Sequence, residues 1–196
     1  MHKHIVFVLL CMCVFSVESG ITEQQQAKIY SVSAERGHAT SQHNLGVMYM
    51  AGSGVLQSYA EAFKWFKKAA QQGLANSQVN IGTMYKDGTG VRQDNMKAFL
   101  WYKKSALQGH VVAQNNLALM YMLGLGVAHN PSEAAIWWFK AAQQGHVNAQ
   151  ASLASLYSFG LWVPKNMTEA IKRRQKAATQ KSVNPKENLR NIEVAE

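Results

Sequence analysis

The side chains of this sequence that could bind a metal ion are few, and their spacing argues against a shared site. His38, His110 and His146 stand at multiples of 36 residues from one another. Zinc needs ligands about 2 Å away, whereas equivalent residues on packed neighbouring helices lie about 8–10 Å apart. The sequence also has no HExxH motif. We therefore expect no metal ion and no other cofactor, and we expect each histidine to form a local hydrogen bond beside the glycine that precedes it.

Cysteine and serine chemistry is poorly represented too. The two cysteines, Cys11 and Cys13, lie inside an apolar stretch from Ile5 to Val17. This stretch is too short to span a bilayer core of about 30 Å, so we interpret it as a signal peptide that comprises residues 1–19 and is cut near Ser19–Gly20. The mature chain then contains no thiol, and it has no S-x-x-K motif. We expect a periplasmic or secreted protein.

Glycines divide the chain into repeats. Triplets such as Gly52-Ser53-Gly54 lack the lysine or third glycine of a phosphate loop, so we interpret them as turns. Gly37, Gly73, Gly109 and Gly145 stand 36 residues apart. Four ungapped repeats therefore cover residues 38–73, 74–109, 110–145 and 146–181. Residues 20–37 align with the second half of a repeat, and residues 182–196 form a tail.

Each repeat predicts two helices joined by a glycine turn. In the first helix, apolar residues such as Leu45 and Met48 recur at helical spacing. The second helix follows a side chain that can cap its N terminus, namely Ser58, Asp94, Asn130 or Asn166. A glutamate three residues later is expected to complete a capping box, at Glu61, Glu133 and Glu169. The predicted core of the second helix sets alanines against aromatic pairs, namely Trp65 and Phe66, Trp101 and Tyr102, and Trp137 and Trp138.

The two ends of the array differ from its middle. Thr22 and Gln25 predict a further capping box, so a single second helix is expected before the first full repeat. In the fourth repeat, Arg173 and Arg174 replace the aromatic pair, as suits a terminal repeat that no neighbour covers. The sequence therefore predicts an all-α array with a polar, basic cap.

The repeated residues resemble a known family. The pattern A/S-Q-x-N-L-G-x-M-Y, then G-x-G-V, then D-x-x-K-A-x-x-W-Y-K-K-A-A-x-Q-G is similar to the Sel1-like repeat, a relative of the tetratricopeptide repeat, over residues 22–181. The resemblance implies a right-handed superhelical α/α solenoid of antiparallel helix pairs. It also implies a non-catalytic scaffold or adaptor that binds a partner protein or peptide, in bacteria often at the cell envelope or a host surface.

The same resemblance implies an alternative function. A cysteine-rich branch of the family is associated with penicillin binding and β-lactamase activity, so a β-lactam-binding or β-lactam-hydrolysing enzyme is the second hypothesis. Proteins of that branch staple each helix pair with a disulfide, whereas the mature repeats of this chain contain no cysteine. We therefore favour the scaffold.

Candidate binding residues follow by analogy with tetratricopeptide arrays, in which the first helices line a concave face that binds peptides. The side chains on that face which the predicted core does not use are His43, Val47, Met50, Val79, Thr83, Lys86, Asn115, Leu119 and Met122. Methionine suits an adaptable protein-binding surface, but the same residues could instead pack against neighbouring helices. The glutamines Gln42, Gln78, Gln114 and Gln150 either hydrogen-bond a bound peptide or tie one repeat to the next.

The net charge of +9 indicates an anionic partner or surface. Nucleic acid is not expected, because the basic residues are spread over several helices and are not interleaved with base-stacking aromatics. A basic end, formed by Lys172, Arg173, Arg174 and Lys176, could meet an anionic component of the cell envelope, although such a run also fits a solvated cap. No transmembrane segment is expected once the signal peptide is removed.

Overall fold

The computed structural model describes residues 21–158, and within that range it contains eight helices and no strand. The helices are α1 (Glu23–Glu35), α2 (Ala39–Ala51), α3 (Tyr59–Gln71), α4 (Ala75–Asp87), α5 (Asn95–Leu107), α6 (Val111–Leu123), α7 (Pro131–Gln143) and α8 (Val147–Ser158). The predicted all-α fold of helix pairs is confirmed. None of these helices is long and apolar enough to cross a membrane.

The chain divides into an N-terminal unit, which ends at Gln93, and a C-terminal unit, which begins at Asp94. In the N-terminal unit α1 packs on α2, α2 on α3 and α3 on α4. In the C-terminal unit α5 packs on α6, α6 on α7 and α7 on α8. The predicted signal peptide, the second helix of the fourth repeat, the basic end and the tail lie outside the described residues.

The core of the second helices follows the predicted pattern of alanines and aromatics. On α3, Trp65 and Phe66 are buried, and Ala62, Ala69 and Ala70 are buried beside them. The small residues matter because a Cβ on Gly46 of α2 would lie 2.8 Å from the Phe66 ring, inside contact distance. Close packing of the Phe66 ring therefore favours glycine at this position of the facing helix.

One member of the predicted core is less buried than expected. Tyr102 is fully enclosed, as predicted, but Trp101 is only partly buried. Phe99 is buried instead, and its ring meets Tyr121 of α6 edge-on with centroids 5.2 Å apart. An aromatic pair with this geometry stabilises a helix contact beyond its buried area.

Both glycines of the first turn lie at positions where the structure favours glycine. Gly52 ends α2 in the left-handed conformation with φ 75°, which favours glycine. Gly54 has φ 68°, and a Cβ there would collide with the backbone carbonyl of Glu23, the first residue of α1. The turn that follows a first helix therefore packs on the start of the preceding second helix. The later turns repeat this arrangement at Gly88 and Gly90 and at Gly124 and Gly126.

The predicted N-caps are present on the second helices. The Ser58, Asp94 and Asn130 side chains accept from backbone N–H groups three residues later, at 3.3, 2.9 and 3.1 Å respectively. Each cap satisfies one of the donors that a helix start leaves without an internal partner.

The capping boxes predicted at Glu61 and Glu133 do not form, and the reason is a competing acceptor. The Ser58 N–H that Glu61 would need donates instead to the Tyr49 carbonyl at 2.9 Å, and the Asn130 N–H donates to the Tyr121 carbonyl at 2.8 Å. Glu61 pairs with Lys64 at 3.3 Å.

The capping box predicted at the start of α1 does form. The Thr22 side chain accepts from the Gln25 N–H at 3.3 Å, and the Thr22 N–H donates to Gln25 Oε1 at 2.8 Å. The complete box satisfies both backbone groups within one helical turn.

The half repeat leaves apolar surface uncovered on α1. Ile29 occupies the repeat position of Trp65, but Ile29 is 51% exposed and Trp65 only 7%. Val32, one helical turn further along, is also exposed. Ile29 therefore lies at a position that is buried in the first full repeat.

Glutamine side chains connect the consecutive helices of each unit. Gln42 Nε2 on α2 donates to the carbonyl of Ala34 on α1 at 3.0 Å. Gln72, the C-cap of α3, donates to Gln42 Oε1 at 2.7 Å and to the Gly37 carbonyl at 2.9 Å. One amide group therefore serves as donor to the preceding helix and as acceptor from the following one.

The other repeats contain the same bonds. Gln78, Gln114 and Gln150 donate to the carbonyls of Ala70, Ala106 and Ala142 at 3.2, 3.4 and 3.3 Å. Gln144 donates to Gln114 Oε1 at 2.8 Å and to the Gly109 carbonyl at 3.0 Å. We call this set the glutamine ladder; it comprises Gln42, Gln72, Gln78, Gln114, Gln144 and Gln150. Of the two roles open to these glutamines, the structure shows the tie between repeats.

Replacement of Gln42 by methionine is expected to lower the free energy of unfolding by about 1–3 kcal/mol, because it leaves the Ala34 carbonyl without its donor and Gln72 without its acceptor. Urea unfolding followed by circular dichroism measures the loss. Gln71→Met, at an exposed position of α3, is the matched control and is expected to change stability by less than about 0.5 kcal/mol. Equal stability of the two variants would show that the ladder is dispensable.

Candidate functional site

The predicted binding residues of the N-terminal unit lie on α2 and α4, and their exposure differs. On α2, Val47 is 44% exposed, whereas His43 and Met50 are partly buried. On α4, Thr83 and Lys86 are partly buried, and Val79 is only 9% exposed. Val47 is therefore the most exposed apolar member of the predicted set in this unit, and Val79 offers a partner little surface.

The predicted residues of the C-terminal unit lie on α6, where the exposed surface is larger than the sequence indicated. Leu119 is 41% exposed, and Met122 is partly buried. Val112 and Leu123, which sequence reasoning missed, are 39% and 59% exposed. We call Val112, Leu119, Met122 and Leu123 the α6 stripe, because their spacing places them on one side of the helix.

A comparison of the repeats in the sequence would have identified Val112 and Leu123 as surface residues. Other repeats have Thr40 and Asn76 at the position of Val112, and Ala51 and Asp87 at the position of Leu123. A change from polar or small residues to large apolar ones at solvent-facing positions of one repeat distinguishes a surface patch from the shared core.

Asn115 lies within the α6 stripe, four residues before Leu119, and its side chain carries an unused acceptor. Asn115 is 8% exposed, and its Oδ1 is fully enclosed without a hydrogen bond from any described residue. Its Nδ2 donates to Asn116 Oδ1 at 3.5 Å. A buried acceptor that lacks a donor destabilises a fold by about 1–3 kcal/mol.

The same repeat position explains why this acceptor has no donor. In the first repeat it holds His43, whose Nδ1 lies 2.8 Å from the Oγ of Ser77, 34 residues later. The corresponding partner of Asn115 is Ala149, a buried methyl group that cannot donate. The third repeat therefore keeps a polar residue, Asn115, at the position of His43 but has no polar residue at the position of Ser77.

The His43 side chain contacts residues of two other helices. Its ring lies 5.4 Å from the Phe66 ring, and burial lowers the pKa of His43 below its ordinary value. A neutral ring suits the hydrogen bond with Ser77, which connects the first helices α2 and α4. We therefore assign His43 to packing between helices.

The histidines that follow turn glycines form the local bonds predicted for them. Nδ1 of His110 and of His146 accepts from the N–H of Ala113 and of Ala149, at 3.4 and 3.3 Å. His38 Nδ1 lies 3.0 Å from the Ser33 carbonyl. Residues 21–158 contain no group of three His, Cys, Asp or Glu side chains that could hold a metal ion.

Acidification is expected to destabilise the protein through His43 and His110, whose pKa values are both lowered by burial. Since the pKa of an unfolded histidine is about 6.5, the unfolded chain binds more protons below that pH than the folded chain does. The free energy of unfolding should therefore be level above about pH 6.5 and fall as the pH drops from about 6.5 toward the lower folded-state pKa values. Urea unfolding between about pH 7.5 and about pH 5 measures this slope.

His43→Asn should make that slope shallower, because it places a neutral hydrogen-bonding side chain at the position, as Asn115 does in the third repeat. His129→Asn, at an exposed position, should leave the slope as it is. A His43→Asn variant with the wild-type slope would contradict the role assigned to burial of this ring.

The family of the chain is decided by comparison with known proteins. The model of the Sel1 repeat matches residues 39–74, 75–110, 111–146 and 147–182. The chain belongs to the Sel1 repeat family. Proteins with Sel1 repeats generally mediate protein–protein interactions, and the family is typically a non-catalytic scaffold.

Two solved Sel1-type structures share both fold and sequence with this chain. One is c5321, a protective antigen present in uropathogenic Escherichia coli strains displaying an SLR fold; it is 33% identical, with a TM-score of 0.73 over 81% of this chain and 34% of its own. The other is a Sel1 repeat protein from Oxalobacter formigenes, 35% identical, with a TM-score of 0.66 over 70% of this chain and 56% of its own. The chain therefore spans about a third of the first protein and just over half of the second.

A third structure shows the fold alone. Helicobacter pylori cysteine rich protein B is 20% identical, with a TM-score of 0.56 over 67% of this chain and 98% of its own.

The β-lactam alternative stays a prediction, as does the contact of the basic end, Lys172, Arg173, Arg174 and Lys176, with an anionic envelope component. No curated protein matches the chain.

Proposed function

We propose that this Sel1 repeat protein is a non-catalytic adaptor that binds a segment of a partner protein along α6. The observation that carries the proposal is the α6 stripe, in which the Val112, Leu119 and Leu123 side chains are exposed. Exposed apolar patches on folded proteins mark interaction surfaces.

The chemistry of the stripe favours a polypeptide segment as its occupant. A chain segment brings apolar side chains that can pack on Leu119 and Leu123. The apolar contacts supply about 25 cal/mol for each Å² removed from water.

The adaptor is proposed to act outside the cytoplasm. The apolar segment Ile5–Val17 and the small residues up to Ser19 support export, because they have the length and order of a signal peptide. The likeness of this chain to c5321, which is named a protective antigen of uropathogenic strains, is consistent with that location. The partner is accordingly sought among envelope proteins and among proteins of a host surface.

Leu119→Glu is expected to weaken partner binding at least about tenfold, because it places a charge in the centre of the apolar contact. The wild-type protein is used to capture the partner from envelope or host extracts, and calorimetric titration then measures the affinity of each variant for the identified partner. Leu56→Glu makes the same change at a turn position that is 91% exposed, and it should stay within about twofold of wild type.

Equal affinity of Leu119→Glu and wild type would remove α6 as the binding face. Failure of the wild-type protein to retain any protein from either extract would count against the adaptor itself. Circular dichroism of Leu119→Glu confirms that a lost affinity does not reflect a lost fold.

Asn115→Val is expected to leave the affinity for the partner within about twofold of wild type, and to leave the protein as stable as wild type or more stable. Asn115 Oδ1 is enclosed, so a partner does not reach it, and the valine removes the free energy that an unused buried acceptor costs. Val79 shows that valine is accommodated at this repeat position, where it is buried. Thermal unfolding and calorimetric titration measure the two effects. Lower stability would show that the amide serves the fold, and a lost affinity at unchanged stability would show that a partner does reach it.

A further inference from the structure

The solvent-facing side of α5 is more apolar than that of α3. Met96, Leu100 and Leu107 are 64%, 50% and 67% exposed. The equivalent residues of α3 are Ala60, Lys64 and Gln71. The repeat architecture does not require these side chains on α5, because α3 forms the same helix pair without them.

The exposed residues of α5 form one row along the helix. Met96, Leu100, Lys103 and Leu107 are separated by four, three and four positions, so they lie on one side of the helix. We call this row the α5 stripe, and it extends over about 16 Å at 1.5 Å per residue. The opposite side of the helix is buried and contains Ala98, Tyr102, Ser105 and Ala106. The stripe is therefore directed away from the core.

Lysines accompany the apolar side chains. Lys103 lies within the stripe, and Lys97 and Lys104 border it on one side. Aromatic rings on the same helix position two of the ammonium groups: Lys104 Nζ lies 4.5 Å from the centre of the Trp101 ring, and Lys103 Nζ lies 5.9 Å from that of Phe99.

The stripe carries no compensating acid. The sequence of α5 contains no aspartate or glutamate, and the cap residue Asp94 is paired with Lys97 at 2.8 Å. The surface is therefore apolar and cationic at once.

Charge complementarity decides what can cover this surface. A second copy of the chain, packed stripe against stripe, would bring two Lys103 side chains together without a carboxylate from either α5. An occupant must therefore supply an apolar layer together with negative charge. Anionic phospholipid supplies both, and the net charge of +9 attracts the protein to such a surface over a longer range.

We propose that α5 docks the protein on the surface of a membrane that contains anionic phospholipid. Met96, Leu100 and Leu107 enter the boundary between headgroups and acyl chains, and the lysines extend along it to the lipid phosphates. A fluid surface needs no cleft and no shape complement, so a row of flexible side chains is sufficient. With 13 residues, the helix lies on the membrane and does not cross it.

Vesicle sedimentation of the full chain tests the proposal, with phosphatidylcholine vesicles compared with vesicles that also contain phosphatidylglycerol. The wild-type protein is expected to bind the anionic vesicles and to be released by high salt. The double variant Leu100→Ser/Leu107→Ser should lower the partition coefficient at least about tenfold. The double variant Lys103→Gln/Lys104→Gln should lower it about 25-fold at low ionic strength, at about fivefold for each lysine.

Matched controls make the same chemical changes outside α5. Leu56→Ser removes an exposed leucine of the first turn, and Lys67→Gln removes the α3 equivalent of Lys103. Both should stay within about twofold of wild type, and so should Leu119→Glu, which separates this surface from the proposed partner site on α6. Every variant carries the same N terminus, so the differences between variants report on α5.

Three results would overturn the proposal. The first is a wild-type protein that does not bind anionic vesicles. The second is loss of binding in the lysine variant alone, which would indicate adsorption by charge without entry of the apolar side chains. The third is a wild-type dimer in sedimentation equilibrium, or a captured acidic protein, that depends on Leu100 and Leu107 while vesicles stay unbound.

Discussion

The bond between Gln42 and the Ala34 carbonyl, together with the bond that Gln42 accepts from Gln72, sets the relation between consecutive helices. Apolar contacts are not directional, so alanines and aromatic rings alone would allow one helix to slide along another at little cost. A buried amide is different, because its partners are available at one position only. The glutamine ladder therefore fixes the register at which the first helices present their surfaces.

The helices and their caps could be predicted from the sequence because they depend on neighbours along the chain. Ser58 caps α3 through a bond three residues away, and a fixed repeat period makes such signals occur in every repeat. The capping box at Glu61 was predicted wrongly because it depends on a residue of another helix. The Ser58 N–H that Glu61 needed donates to the carbonyl of Tyr49 in the preceding helix, and local sequence patterns do not report this competition.

The exposure of the candidate binding residues could be predicted only in part, for the same reason. Helical spacing was sufficient to place Leu119 on the outer side of α6. It could not show that Val79 and Asn115, at one equivalent position of two repeats, are buried, because their burial is set by packing. Helical spacing also could not show that Asn115 lacks the hydrogen-bond partner that Ser77 provides for His43, because that depends on the residue that lies opposite on another helix.

The glutamine ladder also bears on how such a chain can change in length. In the first and third repeats one glutamine is a donor to the helix before it and an acceptor from the helix after it, so both halves of such a junction are encoded within one copy. Duplication of a whole 36-residue segment would insert a ready-made junction, whereas insertion of a single residue between a glutamine and the carbonyl eight residues before it would separate that pair. Evolution of this architecture is therefore expected to proceed in whole repeats, with existing side chains joining each added copy to the rest.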